Sequence, residues 1–128
     1  MVLDAGGLDA WALPVPPRAL LTAMEVLRRA GSGRVVAPSV VTVEVLTGSD
    51  RDAPVNRVLK QVDVEQRLPL PRARAAARLR HGVSASAVDA VVAEAAVRHG
   101  AAFVVTSDPD DLTTLLARAA ATSQVVRV

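Results

Sequence analysis

The sequence contains no cysteine and no tyrosine, and its aromatic residues are limited to Trp11 and Phe103. Without thiols it can form no disulfide, hold no thiolate-bound metal and use no cysteine nucleophile. Without ring platforms it cannot stack bases as RNA-recognition sheets do, so any contact with nucleic acid must run through charge and arginine. Lysine is also nearly missing, since Lys60 is the one lysine among 15 basic residues. The positive charge is therefore carried almost wholly by planar guanidinium forks, which suit phosphate. No apolar run approaches the roughly 20 residues of a membrane-crossing helix, and the N-terminus has no basic region followed by an apolar stretch and a cleavage site. A soluble cytoplasmic protein with no membrane association is the expectation.

What is present is aliphatic. Of 128 residues, 51% are hydrophobic, nearly all Ala, Val and Leu, enough for one aliphatic core but not for two, so a single domain over residues 1–128 is expected. The formal charge of +2 hides an uneven distribution, with Arg72, Arg74, Arg78 and Arg80 in one stretch and Asp108, Asp110 and Asp111 in another. Taken alone, either cluster is as readily a solvated helix face as a binding surface.

Met1-Val2-Leu3 reads as a short strand that breaks at Gly6-Gly7. Leu20, Leu21, Met24 and Leu27 recur at helical spacing between Pro17 and about Ala30, and Gly31-Ser32-Gly33 ends that helix. Arg34 to Ala37 reads as a strand. Pro38 opens a helix running to about Leu46, which Gly48 stops. Asn56 to Gln61 is predicted helical, Val62 to Val64 a brief strand, and Pro69-Leu70-Pro71 introduces an Arg-rich helix ending near Gly82. Ser84 or Ser86 caps the next helix, striped by Val88, Val91, Val92 and Ala95 and closed before Gly100. Phe103 to Thr106 is the clearest strand, followed by a helix over Pro109 to Ala120 and a strand over Gln124 to Arg127. Val-rich strands without in-out alternation, alternating with helices, predict an α/β three-layer sandwich around a parallel sheet. Ligands of such sheets sit beyond the carboxyl ends of the strands, and Asp4 and Asp108 both follow strands directly.

Four acids stand where an apolar sequence gains by omitting them: Asp4, Glu44, Asp89 and Asp108, since burying a charge is costly unless it is compensated. Each has a structural explanation. Asp108 is placed to cap the helix that Pro109 begins, with Asp110 and Asp111 favoured in its first turn by the helix dipole, and Ser86 with Asp89 has capping-box spacing. Asp4 precedes Gly-Gly rather than an evident amphipathic helix, and Glu44 shares a helical face with Val40 and Val41. Jointly the acids make a hard oxygen site suited to Mg²⁺ or Mn²⁺ and not zinc. Such an ion activates water for phosphodiester hydrolysis. Thr106 and Ser107 stand ready as hydrogen-bond support or as ordinary turn residues. His81 and His99, both at helix ends, are read as structural.

The matching pieces Val2-Leu3-Asp4, Ala37-Pro38-Ser39-Val40-Val41-Thr42-Val43-Glu44-Val45, Asp89-Ala90-Val91-Val92-Ala93-Glu94-Ala95-Ala96 and Val104-Val105-Thr106-Ser107-Asp108 with Asp111-Leu112 run in order along the chain. In these the sequence resembles a PIN domain, most closely the VapC-type toxin ribonucleases of bacterial toxin–antitoxin pairs. The resemblance implies a five-stranded parallel sheet of order 3-2-1-4-5 flanked by helices. It implies an acidic quartet of Asp4, Glu44, Asp89 and Asp108, with Asp111 as a further or alternative acid. Asp4, Asp89 and Asp108 would be the nearest metal ligands, and Glu44 would bind a second cation or position a water. It also implies a Mg²⁺-dependent endoribonuclease, a small antitoxin that wraps it, and a homodimer. One departure stands out: members usually carry Ser or Thr within two residues of the first Asp, whereas Ala5-Gly6-Gly7 offers no hydroxyl to support Asp4. Arg72, Arg74 and Arg78 are placed to guide RNA by phosphate contact. A catalytically inactive PIN-like module that binds RNA or protein is the competing reading. A phosphatase or phospho-acceptor domain is disfavoured by Gly6, where a second Asp is wanted, and by Lys60 as the sole lysine.

Overall fold

The computed structural model describes residues 1–31 and 33–128; Ser32, assigned above to a helix stop, lies outside the described residues. Five strands, β1 (Val2–Leu3), β2 (Val36–Pro38), β3 (Asp63–Glu65), β4 (Phe103–Thr106) and β5 (Gln124–Arg127), form one parallel sheet in the order β3-β2-β1-β4-β5. Val2 is in register with both Val36 and Val104, and Val2, Leu3, Val104 and Val105 are fully buried. Burial on both sides is why these strands read as unbroken Val/Leu runs, because a parallel sheet covered by helices has no wet face to demand alternation.

The covering helices are α1 (Ala5–Ala12), α2 (Arg18–Arg29), α3 (Thr42–Val45), α4 (Ala53–Leu59), α5 (Leu70–Arg80), α6 (Ala87–His99) and α7 (Pro109–Arg118). In α2 the predicted stripe holds in part: Leu20 and Leu27 face the core together with Ala23, Met24 is half-buried and Leu21 is exposed, while Glu25 binds Arg28 and Arg29 in solvent. In α6, Ala90, Val92, Ala93, Ala95 and Ala96 are buried, and side chains this small let the helix lie close to the sheet. Its capping box of Ser86 and Asp89 is present, and Gly100, with φ of 55°, ends it in the left-handed region that glycine enters without strain. Leu3, Leu8, Leu20, Leu112 and Leu115 are the largest fully buried side chains, so the core is aliphatic.

Several predicted boundaries shift. Pro38 ends β2 and is followed by a 3₁₀ turn (Ser39–Val41) and then α3, rather than opening one helix to Leu46. Glu44 is exposed and Val43 is 79% exposed: broken into two short turns, the segment has no continuous face that buries Glu44 with Val40 and Val41. The helix expected over Asn56 to Gln61 starts earlier, at Ala53, with Pro54 in its first turn. A 3₁₀ turn at Asp50–Asp52 precedes it. There the buried Asp52 carboxylate accepts the Thr47 and Gly48 N–H groups and the Thr47 hydroxyl, and these bonds hold its pKa below the ordinary value. Among the described residues no helix is long and apolar enough to cross a membrane.

The main correction concerns Gly6-Gly7, read above as a break. Both lie inside α1. A Cβ on Gly6 would collide with the Ser107 hydroxyl and lie 2.6 Å from the Ser107 nitrogen, and one on Gly7 would lie 2.6 Å from the Val105 carbonyl oxygen. These glycines are there for close approach: they let the first turn of α1 rest against the backbone leaving β4. Glycine lowers helix propensity by about 1 kcal/mol against alanine, and tertiary contact overrides it here.

Candidate active site at the carboxyl edge of the sheet

Leu3 is in register with Val105 on the neighbouring strand, so the residues that follow, Asp4 and Thr106, emerge side by side at the carboxyl edge. The Asp4 N–H donates to the Val105 carbonyl at 3.1 Å. Its backbone is extended, and its side chain caps α1 by accepting the Gly6 N–H on Oδ1 at 2.8 Å. The other oxygen, Oδ2, accepts the hydroxyl proton of Thr106. Thr106 is fully buried, and its Oγ1 also accepts the Asp108 N–H at 3.0 Å. One threonine hydroxyl thus fixes the Asp4 carboxylate and ties it to the turn carrying Asp108.

Burial pushes the Asp4 pKa up; the hydrogen bonds from Thr106 and Gly6 oppose that, and the negative charges of Asp89 and Asp108 add to it. Asp89 and Asp108, from separate parts of the chain, therefore lie close enough for their charges to act on Asp4. Asp89 lies half-buried in the first turn of α6, where its Oδ2 accepts the Ser86 N–H at 3.2 Å and the Ser86 hydroxyl accepts the Asp89 N–H at 3.0 Å. The capping explanation for Asp89 is correct, yet it uses one oxygen only. Asp108 stands at the N-cap position of α7 but makes no side-chain cap bond and is exposed, so capping does not account for it. Asp111 is half-buried in the first turn of α7, while the Asp108 backbone is tied to Thr106, the residue that also bonds Asp4. Glu44 is exposed on α3.

The donor set is one of carboxylate and hydroxyl oxygens, which matches a hard divalent cation. A cation would oppose the burial and the neighbouring charges that raise the Asp4 pKa. Among the described residues no three acidic or histidine side chains converge on one point.

Support for Asp4 thus comes from Thr106 and the Gly6 N–H, not from a hydroxyl just after it in sequence. The Thr106 expectation holds; Ser107 instead supplies the surface that only glycine can approach. Gly6 was missed as a donor, although Asp is a preferred N-cap residue whose side chain accepts an N–H two or three positions on. Both histidines lie outside the acidic group. His81 is exposed at the end of α5. His99 Nε2 lies 2.9 Å from Glu65 Oε1, in a cluster where Arg98 bridges Glu65 at 2.6 Å and Glu94 at 3.0 Å. Arg72 reaches the same Glu65 at 3.6 Å, whereas Arg74, Arg78 and Arg80 are exposed and, among the described residues, without an ion pair.

No curated protein sequence matches the chain. Among solved structures it is similar to one described as FitAcB from Neisseria gonorrhoeae, with a TM-score of 0.62 at 16% identity, over 98% of this chain and 96% of that one. At that identity the likeness concerns the fold. The PIN domain family matches residues 11–120, a span that begins after Asp4 and takes in Glu44, Asp89, Asp108 and Asp111. By that match and this topology, the chain belongs to the PIN domain family.

Proposed function

We propose that residues 1–128 form one PIN-like domain acting as a Mg²⁺-dependent endoribonuclease, the VapC-type toxin of a toxin–antitoxin pair. The observation that carries this is the carboxylate of Asp4, locked by a buried threonine and a backbone N–H, with Asp89 and Asp108 near enough to raise its pKa. A divalent cation would offset the burial and the neighbouring negative charge that raise the Asp4 pKa. When bound, Mg²⁺ or Mn²⁺ supplies an activated water and neutralises charge on the phosphodiester.

The chain's own residues divide the work. Asp4 is the fixed ligand, its two oxygens oriented by Gly6 and Thr106. Asp89 and Asp108 complete the site from α6 and the turn before α7, with Asp111 as a further acid. Glu44, exposed on α3, binds a second cation or positions water. Arg74 and Arg78 meet RNA phosphates, and Arg72 is shared between RNA and Glu65. The partners are an RNA substrate, a small cognate antitoxin and a second copy of the chain, in the cytoplasm.

The test is cleavage of single-stranded RNA by purified protein with Mg²⁺. EDTA should abolish it, and Asp89→Asn should abolish it while the protein stays folded. Full activity in a folded Asp89→Asn variant would sink the assignment. The competing reading, an inactive PIN-like RNA- or protein-binding module, is favoured by one observation, that no three acids converge among the described residues. Calorimetry showing no Mg²⁺ or Mn²⁺ binding would support it.

A further inference from the structure

Away from the acids, edge strand β5 and helix α2 enclose a groove of about 570 Å³. Its walls are mainly apolar, with Ala19 and Val26 on the helix side and Phe103 and Val126 on the sheet side. Strand β5 pairs only with β4. Gln124 donates its N–H to the Ala102 carbonyl at 2.8 Å, and Val128 donates to the Thr106 carbonyl at 2.9 Å. In a parallel ladder one residue turns both its N–H and its C=O to the same neighbour and the next turns them away. Val125 and Arg127 therefore aim their backbone donors and acceptors outward, along a sheet edge that, among the described residues, no further strand covers.

The groove also has an electrostatic end. Leu27 shares a cavity with Met1, Arg34 and Ala101, so the last turns of α2 lie at the amino ends of the strands and its first residue, Arg18, lies toward the carboxyl end. Arg127 is at that same end, in register with Thr106. Both arginines line the groove, both are exposed, and among the described residues neither has a carboxylate within ion-pairing distance. An open strand edge beside an apolar wall is a template for strand addition.

We infer that this groove binds an extended segment of a partner protein. The segment adds to β5 as a further strand, places alternate apolar side chains on the wall of Ala19, Val26 and Phe103, and sets an Asp or Glu against Arg18 and Arg127. RNA phosphates would also answer the two arginines, but RNA leaves the apolar wall and the outward N–H groups of Val125 and Arg127 unmatched. The inference does not depend on the ribonuclease reading, because it is tested by binding alone, without metal or RNA.

The probe is a displayed library of eight-residue peptides selected against the full chain, followed by titration of the enriched peptides into ¹⁵N-labelled protein. The expected winners alternate apolar residues and carry an acid, shift the amide signals of Val125 and Arg127, and slow their hydrogen exchange. The Arg18→Glu, Arg127→Glu double variant should bind them at least 10-fold more weakly. Ala19→Trp, which fills the groove from an exposed position, should block them in a protein with an unchanged melting temperature. The inference is overturned if no peptide is enriched, if the winners lack an acid or shift amides elsewhere, or if neither variant weakens them. It is overturned too if an oligouridylate, and no peptide, moves the Val125 and Arg127 signals; the groove then belongs to RNA.

Discussion

Replacing Thr106 with valine removes one hydroxyl while keeping nearly the same volume in a fully buried position. That hydroxyl donates to Asp4 Oδ2 and accepts from the Asp108 N–H, so the variant strips a donor from a carboxylate and an acceptor from a backbone amide. A hydrogen bond to a charged group contributes about 1.5–3 kcal/mol; because Asp4 is only partly buried, solvent screening reduces its share to about 1–2 kcal/mol. The amide adds about 1 kcal/mol. The total of about 2–3 kcal/mol lowers the melting temperature by roughly 6–15 °C for a chain of this size. The two parts separate by pH. Asp4 has a raised pKa in the folded state, so its neutral form favours folding: that contribution is fully present below the unfolded pKa and is lost as pH rises through the folded one. Loss of the threonine donor, which lowers this pKa, raises it further and deepens the loss at neutral pH. Urea unfolding should therefore show a deficit larger near neutral pH than at a pH of about 2.5, below the ordinary Asp pKa of about 3.9, by about 1–2 kcal/mol. A double-mutant cycle with Asp4→Asn should report coupling of about 1 kcal/mol or more. A deficit independent of pH, with additive single effects, would refute the claim that Thr106 acts through Asp4.

Gly6→Ala should destabilise by more than about 2 kcal/mol and displace α1 from the β4 turn, because its Cβ has no space beside Ser107; a thermal melt of the variant checks this, and a change under about 0.5 kcal/mol would show that α1 can slide freely. Ser86→Ala should lower stability by about 1 kcal/mol through the lost cap, while Asp89→Asn, which keeps an acceptor for the Ser86 N–H, should change it by under about 0.5 kcal/mol and still abolish Mg²⁺-dependent cleavage. Arg98→Gln leaves the largely buried Glu94 and Glu65 without their shared cation, and should cost about 2 kcal/mol near neutral pH by chemical denaturation. The Glu65 pKa is lowered by its bonds to Arg98 and His99, against burial. Its contribution to wild-type stability is therefore present above the unfolded pKa and lost as pH falls through the folded one, so the gap between wild type and Arg98→Gln should narrow in acid. Glu44→Gln, at an exposed position, should leave the melting temperature within about 2 °C, so any loss of cleavage it produces reports on chemistry rather than folding.

The α/β class, the parallel sheet and most elements were legible locally, because valine runs without alternation and helical stripes such as Leu20, Met24 and Leu27 are imposed by burial on two faces or on one. The caps were legible where side chain and backbone are near in sequence, as with Ser86 and Asp89. Helix α1 was not. Its Gly6-Gly7 reads as a break by propensity, and only contact with Ser107 and Val105, a hundred residues away in the chain, turns it into a packing requirement.

The site divides along the same line. The sequence by itself determined which groups are available, namely hard carboxylate oxygens, no thiol, guanidinium for phosphate, and one or two hydroxyls beside the late strand. It could not see that Glu44 is exposed, and pointed to a missing hydroxyl after Asp4 as a defect. The tertiary structure decided these. Parallel register sets Thr106 beside Asp4, so a hydroxyl absent just after Asp4 is supplied from the neighbouring strand. The Thr106 hydroxyl that bonds Asp4 also accepts the Asp108 N–H, while Asp111 lies in the first turn of α7. Which atoms share an edge is fixed by strand pairing between segments far apart in the chain, and local sequence carries no record of that pairing.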